Sequence, residues 1–186
     1  IGVMILSGNS VNHGLINIAA LSAGIPLSPI SVAYSMMSSD YAKLKHCFDL
    51  VEPGMIYVED GKLFEKALEN LDLNNILVVC TNNPSENINM KLFDDLLSVV
   101  PKNSLQTTYD SVNHDSIAKY LFTSGSTGMP KGVINTQLML CTNMQQVQQI
   151  RPHEMDKHNV VVDWLPWNHT MGGNHIFNGV FWSGGS

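Results

Sequence analysis

Charge is scarce in this chain of 186 residues. Only 14 % of them are Asp, Glu, Lys or Arg, and the balance is −6. That deficit of basic residues argues against a surface for nucleic acid. Cysteine is scarce too: Cys47, Cys80 and Cys141 are odd in number and far apart. No paired spacing suggests a disulfide framework, so a reduced, cytoplasmic compartment is the simplest expectation. Apolar runs stay well short of the ~20 residues of a membrane span. No basic segment precedes the first apolar run, so no signal peptide is expected. With 44 % hydrophobic residues, the chain is too apolar for disorder and suits one globular domain with one core. Ten Met are many for this length, and they read as gap-filling core.

Residues 120–133 are the most informative stretch. Tyr120-Leu121-Phe122 leads into Thr123-Ser124-Gly125-Ser126-Thr127-Gly128, followed by Met129-Pro130-Lys131-Gly132-Val133. Successive hydroxyls and backbone N–H groups on a tight glycine-bearing turn form a concave donor surface for phosphate. Gly125 and Gly128 permit positive φ and close approach of a ligand. Lys131 adds a mobile positive charge. The P-loop of the Ras-like and ATPase type is excluded, because it needs Gly directly before its Lys and Ser or Thr directly after. Here Pro130 and Gly132 stand at those positions. An ordinary polar turn in a hairpin is the bland alternative, but it would not require so specific a run.

The stretch closely resembles the phosphate-loop signature of the adenylate-forming (AMP-binding) superfamily, which includes acyl- and aryl-CoA synthetases, peptide-synthetase adenylation domains and firefly-type luciferases. The resemblance implies that Thr123, Ser124, Gly125, Ser126, Thr127, Gly128 and Lys131 contact nucleotide phosphates. It further implies an acid–CoA ligase that uses ATP, Mg²⁺ and CoA. A carboxylate would attack the α-phosphate to give an acyl-adenylate, which then passes to CoA.

A second motif agrees. Leu165-Pro166-Trp167-Asn168-His169-Thr170-Met171-Gly172-Gly173 follows the apolar Val160–Val162. The family carries a Pro-aromatic-x-His-x-x-Gly segment at about this distance after its phosphate loop, where it opens a helix lining the acyl pocket. The match assigns acid binding to Trp167, His169, Gly172 and Gly173, with His169 beside the reacting carboxylate. The longer run to His175 looks most like feruloyl-CoA synthases and related aromatic-acid ligases.

Without the resemblance, His169 reads as a hydrogen-bonded core histidine. No protein metal site is expected, since His169 and His175 do not share a helical face and no carboxylate or Cys pattern accompanies them. Asn168-His169-Thr170 matches a glycosylation sequon, read as accidental.

Periodicity gives alternating strands and helices. Strands are expected over Gly2–Leu6, Pro26–Ile30, Met55–Val58, Ile76–Cys80, Lys119–Phe122, Gly132–Asn135 and Val160–Trp164. Helices are expected from Asn9 or Ser10 to Ala23, from Ser38 or Ser39 to before Pro53, and over Leu63–Asn70, Lys91–Val100, Thr136–Ile150 and Met171–Trp182. This order predicts an α/β fold: a parallel or mostly parallel sheet with helices on both faces. Both motifs follow strand ends, so both are expected to face one crevice.

Family members are several times longer. Their adenine-binding, ribose-binding and hinge segments, and the small C-terminal lid domain with its catalytic Lys, have no counterpart in residues 1–186. The chain is therefore expected to be a single partial domain, inactive alone and prone to self-association through uncovered apolar surface. A short anion-binding or interaction module without catalysis is the alternative.

Overall fold

A computed structural model describes residues 1–101, 105–123, 128–155 and 158–186. The elements run β1 (Gly2–Ile5), α1 (Val11–Ser22), β2 (Leu27–Pro29), α2 (Val32–Met36), α3 (Ala42–Val51), β3 (Pro53–Asp60), α4 (Gly61–Leu68), β4 (Leu77–Asn82) and β5 (Met90–Leu92). They continue with α5 (Phe93–Leu97), α6 (Leu105–Asp110), β6 (Ile117–Thr123), β7 (Lys131–Thr136), α7 (Gln137–Ile150) and α8 (Pro152–Met155). A π-helical turn (Met171–Ile176) and α9 (Phe177–Ser183) complete the described elements.

Among the described residues the strands form one seven-stranded sheet, ordered β5-β4-β3-β1-β2-β6-β7. All pairings are parallel except β6 with β7. This is the expected α/β architecture. Strand β1 is buried throughout, as a strand covered on both faces must be. Its alternate side chains feed two cores. Met4 and Leu6 pack with Leu44 of α3 and with Phe64 and Leu68 of α4. Val3 and Ile5 pack with Ile16 of α1 and Phe93 of α5.

Helix starts follow the local chemistry. The side chain of Ser10 accepts from the His13 N–H, Asp60 from Leu63, and Thr136 from Met139. Each satisfies one orphan donor of a first turn. Gly24, at φ +64°, ends the α1 segment in a conformation that favours glycine.

Two expectations are corrected. Val160–Trp164 is not a strand. Val161 N–H donates to Ser186 O at 2.7 Å and Ser186 N–H donates to Asn159 O at 2.8 Å, but these two bonds build no strand pairing, and Val160, Val162 and Trp164 are exposed. Residues 91–100 are not one helix. Met90–Leu92 instead pair with Val78–Cys80 of β4, and the helix is confined to Phe93–Leu97. A free sheet edge outcompeted the local helical period there.

Candidate active site beside strands β6 and β7

Strand β6 ends at Thr123, and β7 starts at Lys131 directly opposite it. The glycine- and hydroxyl-rich segment is therefore the connection of an antiparallel pair. Ser124, Gly125, Ser126 and Thr127 lie outside the described residues. Thr123 Oγ donates to Lys131 O at 3.4 Å. Gly128 is exposed, and a methyl added there would meet nothing within 4 Å.

The loop's exit is held from a distance. Pro130 is buried, and its carbonyl accepts a hydrogen bond from Nε2 of His46 on α3 at 2.9 Å. The acceptor can only be the carbonyl, so Nε2 carries the proton. Lys131 is exposed and lines a cleft of about 410 Å³ with His46, Leu50, Tyr120 and Gly132.

The second motif comes to the same end of β6. Leu121, Phe122, Thr123 and Val133 enclose a cleft of about 220 Å³ with Asn168, His169 and Thr170. The two motifs therefore meet, although one of the strands expected to bring them together does not form. Asn9, just after β1, pins the second segment on both sides. Its Nδ2 donates to Leu165 O at 2.8 Å, and its Oδ1 accepts from the Trp167 N–H at 3.0 Å. From sequence, Asn9 reads only as a possible helix cap.

Trp167 packs away from that cleft. Its ring meets His13 edge-on at 5.0 Å and Phe177 at 4.6 Å. The backbone then winds tightly. His169 N–H donates to Pro166 O at 3.1 Å, and Gly173 N–H donates to His169 O at 2.8 Å. A Cβ at Gly172 would sit 2.7 Å from Pro166 O, and one at Gly173 would sit 2.1 Å from Trp167 O. Both positions thus require glycine for close backbone approach. They open the π-helical turn, a geometry frequent at functional sites.

Two buried titratable groups lie behind the turn. His13 donates through Nδ1 to Gly8 O at 3.0 Å, while its Nε2 has no partner among the described residues. Burial pushes its pKa down to about 4; the Gly8 bond opposes this and the charge of Lys119 adds to it. Lys119 is 1 % exposed, and its Nζ donates to Gly173 O at 2.8 Å. Burial pushes its pKa down to about 7. Neither residue stands out in the sequence. The one hint is a lysine set among the apolar residues of β6.

Among the described residues no group of three His, Cys, Asp or Glu side chains could hold a metal ion. No helix among them is long and apolar enough to cross a membrane.

Residues 2–186 match the family model of the AMP-binding enzymes. The chain belongs to that family. The long-chain-fatty-acid–CoA ligase 2 of Schizosaccharomyces pombe is 27 % identical over 169 residues, which are 82 % of this chain and 22 % of that ligase. The TtuA medium-chain-fatty-acid–[acyl-carrier-protein] ligase of Teredinibacter turnerae is 42 % identical over 62 residues, covering 33 % of this chain and 9 % of TtuA. Among solved structures, a putative long-chain-fatty-acid CoA ligase of Rhodopseudomonas palustris superposes with a TM-score of 0.78 at 17 % identity, over 98 % of this chain and 42 % of that one. At that identity the likeness shows the fold. The chain thus spans about a fifth of the fission-yeast ligase it matches.

Proposed function

We propose that this chain is part of the large domain of an AMP-forming acid–CoA ligase. The observation that supports the reading most is the shared cleft between the end of β6, which leads into the phosphate loop, and Asn168–Thr170. Residues 123–128 and Lys131 would hold the nucleotide phosphates, and His169 would lie by the acid's carboxylate. A carboxylate oxygen attacks the α-phosphorus, the bond to the bridging oxygen breaks, and pyrophosphate leaves. The thiolate sulfur of CoA then attacks the acyl carbonyl and AMP leaves.

Charge accumulates on the phosphate oxygens in the first step. Donors fixed around them act by positioning and by electrostatic stabilisation that needs no reorganisation. Mg²⁺ belongs to the proposed chemistry as a counter-charge to the phosphates. Among the described residues no group of three His, Cys, Asp or Glu side chains would hold it.

The acid we propose is aromatic and feruloyl-like, on the resemblance of the run Trp167–His175. The curated relatives quoted above are named for fatty acids, and these form the competing substrate class. Adenine, ribose and lid contributions would come from outside residues 1–186, and these residues alone would be inactive. The test is pyrophosphate release with ATP, Mg²⁺ and CoA, by the parent ligase and by this chain, with ferulate against a series of fatty acids. Activity of the parent with ferulate, and none in this chain, is expected. Robust turnover by this chain alone overturns the partial-domain reading. A parent active only on fatty acids overturns the aromatic one.

A further inference from the structure

Lys119 is a costly residue for its place. Burying an ammonium costs far more than burying an apolar side chain, and a β-branched or Leu residue would fill a core strand more cheaply. Alternation along β6 puts Lys119 on the same face as Leu121 and Thr123, which line the proposed acid cleft. Lys119 itself stands behind that cleft at 1 % exposure. Its Nζ reaches Gly173 O at 2.8 Å and lies 5.5 Å from the Phe177 ring centroid. The same Gly173 donates its N–H to His169 O. Two consecutive hydrogen bonds therefore link Lys119 to His169. The glycines between them tolerate no added atom, because Trp167 O and Pro166 O already occupy the space. A second tie runs parallel, from Asn174 Nδ2 to Asn135 Oδ1 of β7 at 2.9 Å.

Resting on the ligase reading above, we infer that Lys119 is a positioning residue for acid activation. Its buried Nζ fixes the Gly173 carbonyl, and with it the turn carrying His169, to the strand that delivers Thr123. Lys119 touches no substrate. It sets the distance between the acid-binding segment and Thr123 at the end of β6, which an in-line attack must hold closely.

The comparison is Lys119→Met, Lys119→Arg, His169→Ala and wild type in the parent ligase, each confirmed as folded by its thermal melt. Lys119→Met keeps an unbranched apolar stem, one heavy atom shorter, and removes the donor. Its Michaelis constant for the acid should rise about tenfold or more and its kcat should fall, while the ATP constant stays within about twofold. Lys119→Arg keeps an N–H donor at the end of a long side chain and should restore the acid constant to within about threefold of wild type. A role in packing alone would only lower the active fraction, reducing kcat with both constants unchanged, and that result overturns the inference. Should Lys119→Met not fold, Lys119→Arg decides: an acid constant raised tenfold in a folded Lys119→Arg protein overturns the donor role. If His169→Ala responds and the Lys119 variants do not, the inference falls and the ligase reading stands. If His169→Ala moves neither constant nor rate, the assignment of His169 falls and takes the inference with it.

Discussion

His46 and Pro130 are 84 residues apart in the chain, yet Nε2 of the one lies 2.9 Å from the carbonyl oxygen of the other. Helix α3 thereby holds Pro130 just before β7 begins, at the exit of the segment proposed to bind phosphate. A proline there contributes no N–H of its own, so its carbonyl is the available handle. Removing that handle should loosen the loop at one end. His46→Ala should cost about 1 kcal/mol of stability, the usual net worth of one such bond. It should also raise the Michaelis constant for ATP in the parent ligase while leaving that for the acid alone. Denaturant melts and the two constants check this. An effect confined to the acid would assign α3 to the wrong half of the site.

Lys131 is predicted to behave in the opposite sense for stability. It is exposed and sits at the first position of β7, so Lys131→Ala should leave the melting temperature nearly unchanged. If it contacts developing phosphate charge, adenylation should fall by the equivalent of about 2–4 kcal/mol, as for loss of one oxyanion donor. Single-turnover pyrophosphate release reads this directly. A normal rate would remove Lys131 from the chemistry.

Trp167 and His169 separate folding from binding. The half-buried Trp167 ring packs on His13, Gly14 and Phe177, so Trp167→Ala should destabilise the protein by up to about 3 kcal/mol, the low end for a buried aromatic. His169 is exposed, so His169→Ala should cost little stability and should alter the acid constant or the adenylation rate. Thermal melts beside acid and ATP titrations distinguish the two variants. A large loss of stability in His169→Ala would return that residue to a core role.

Burial of His13 and Lys119 gives stability a defined pH dependence. The pKa of Lys119 is lowered from 10.5 to about 7. Between those values the unfolded chain holds a proton that the folded protein has released. The penalty for the buried charge is complete below the folded value and gone above the unfolded one, so stability rises with pH through that window. The slope is at most about 1.4 kcal/mol per pH unit. His13, lowered from 6.5 to about 4, acts with the same sign, and stability falls as pH drops through that range. Urea melts from pH 4 to 10 should show both limbs. Lys119→Met should remove the upper limb and, by removing a charge that depresses His13, shrink the lower one slightly; an unchanged upper limb would mean that Lys119 is not desolvated.

Where the sequence was legible, the reason is local. Ser10 (one of the two expected caps with Asn9), Thr136 and Gly24 punctuate helices through side chains and dihedrals within a few residues of themselves. The two motifs were legible for the same cause. What escaped was set by partners far along the chain. Met90–Leu92 is a strand because Val78–Cys80 lies beside it. Val160–Trp164, apolar and β-branched, has no ladder to join. Asn9 holds Leu165 and Trp167 from more than 150 residues away, and Lys119 holds Gly173 across 54 residues. No period or spacing encodes such pairs. The cleft between Thr123 and His169 is likewise a product of the sheet order, which places β6 beside β2 and leaves β1 to present Asn9.

Gly14 and Gly173 both face Trp167, and a methyl group on each should have opposite effects. On Gly14 it would meet Phe177 at 3.5 Å and Trp167 at 3.6 Å, ordinary van der Waals contact. Gly14 lies inside α1, where glycine costs about 1 kcal/mol relative to alanine. Gly14→Ala should therefore stabilise the protein, raising its melting temperature by about 2–4 °C for a chain of this size. On Gly173 the methyl would stand 2.1 Å from Trp167 O and 3.0 Å from its carbonyl carbon. Both atoms belong to backbone, which cannot rotate away as a side chain would. The turn must open, at a cost of about 1–3 kcal/mol or more, and the Gly173 carbonyl must leave Lys119. Gly173→Ala should thus lower the melting temperature and, in the parent ligase, raise the acid constant as Lys119→Met does. The two variants together should be no worse for the acid constant than either alone, because both break one connection. Additive losses would show that Gly173 and Lys119 act separately.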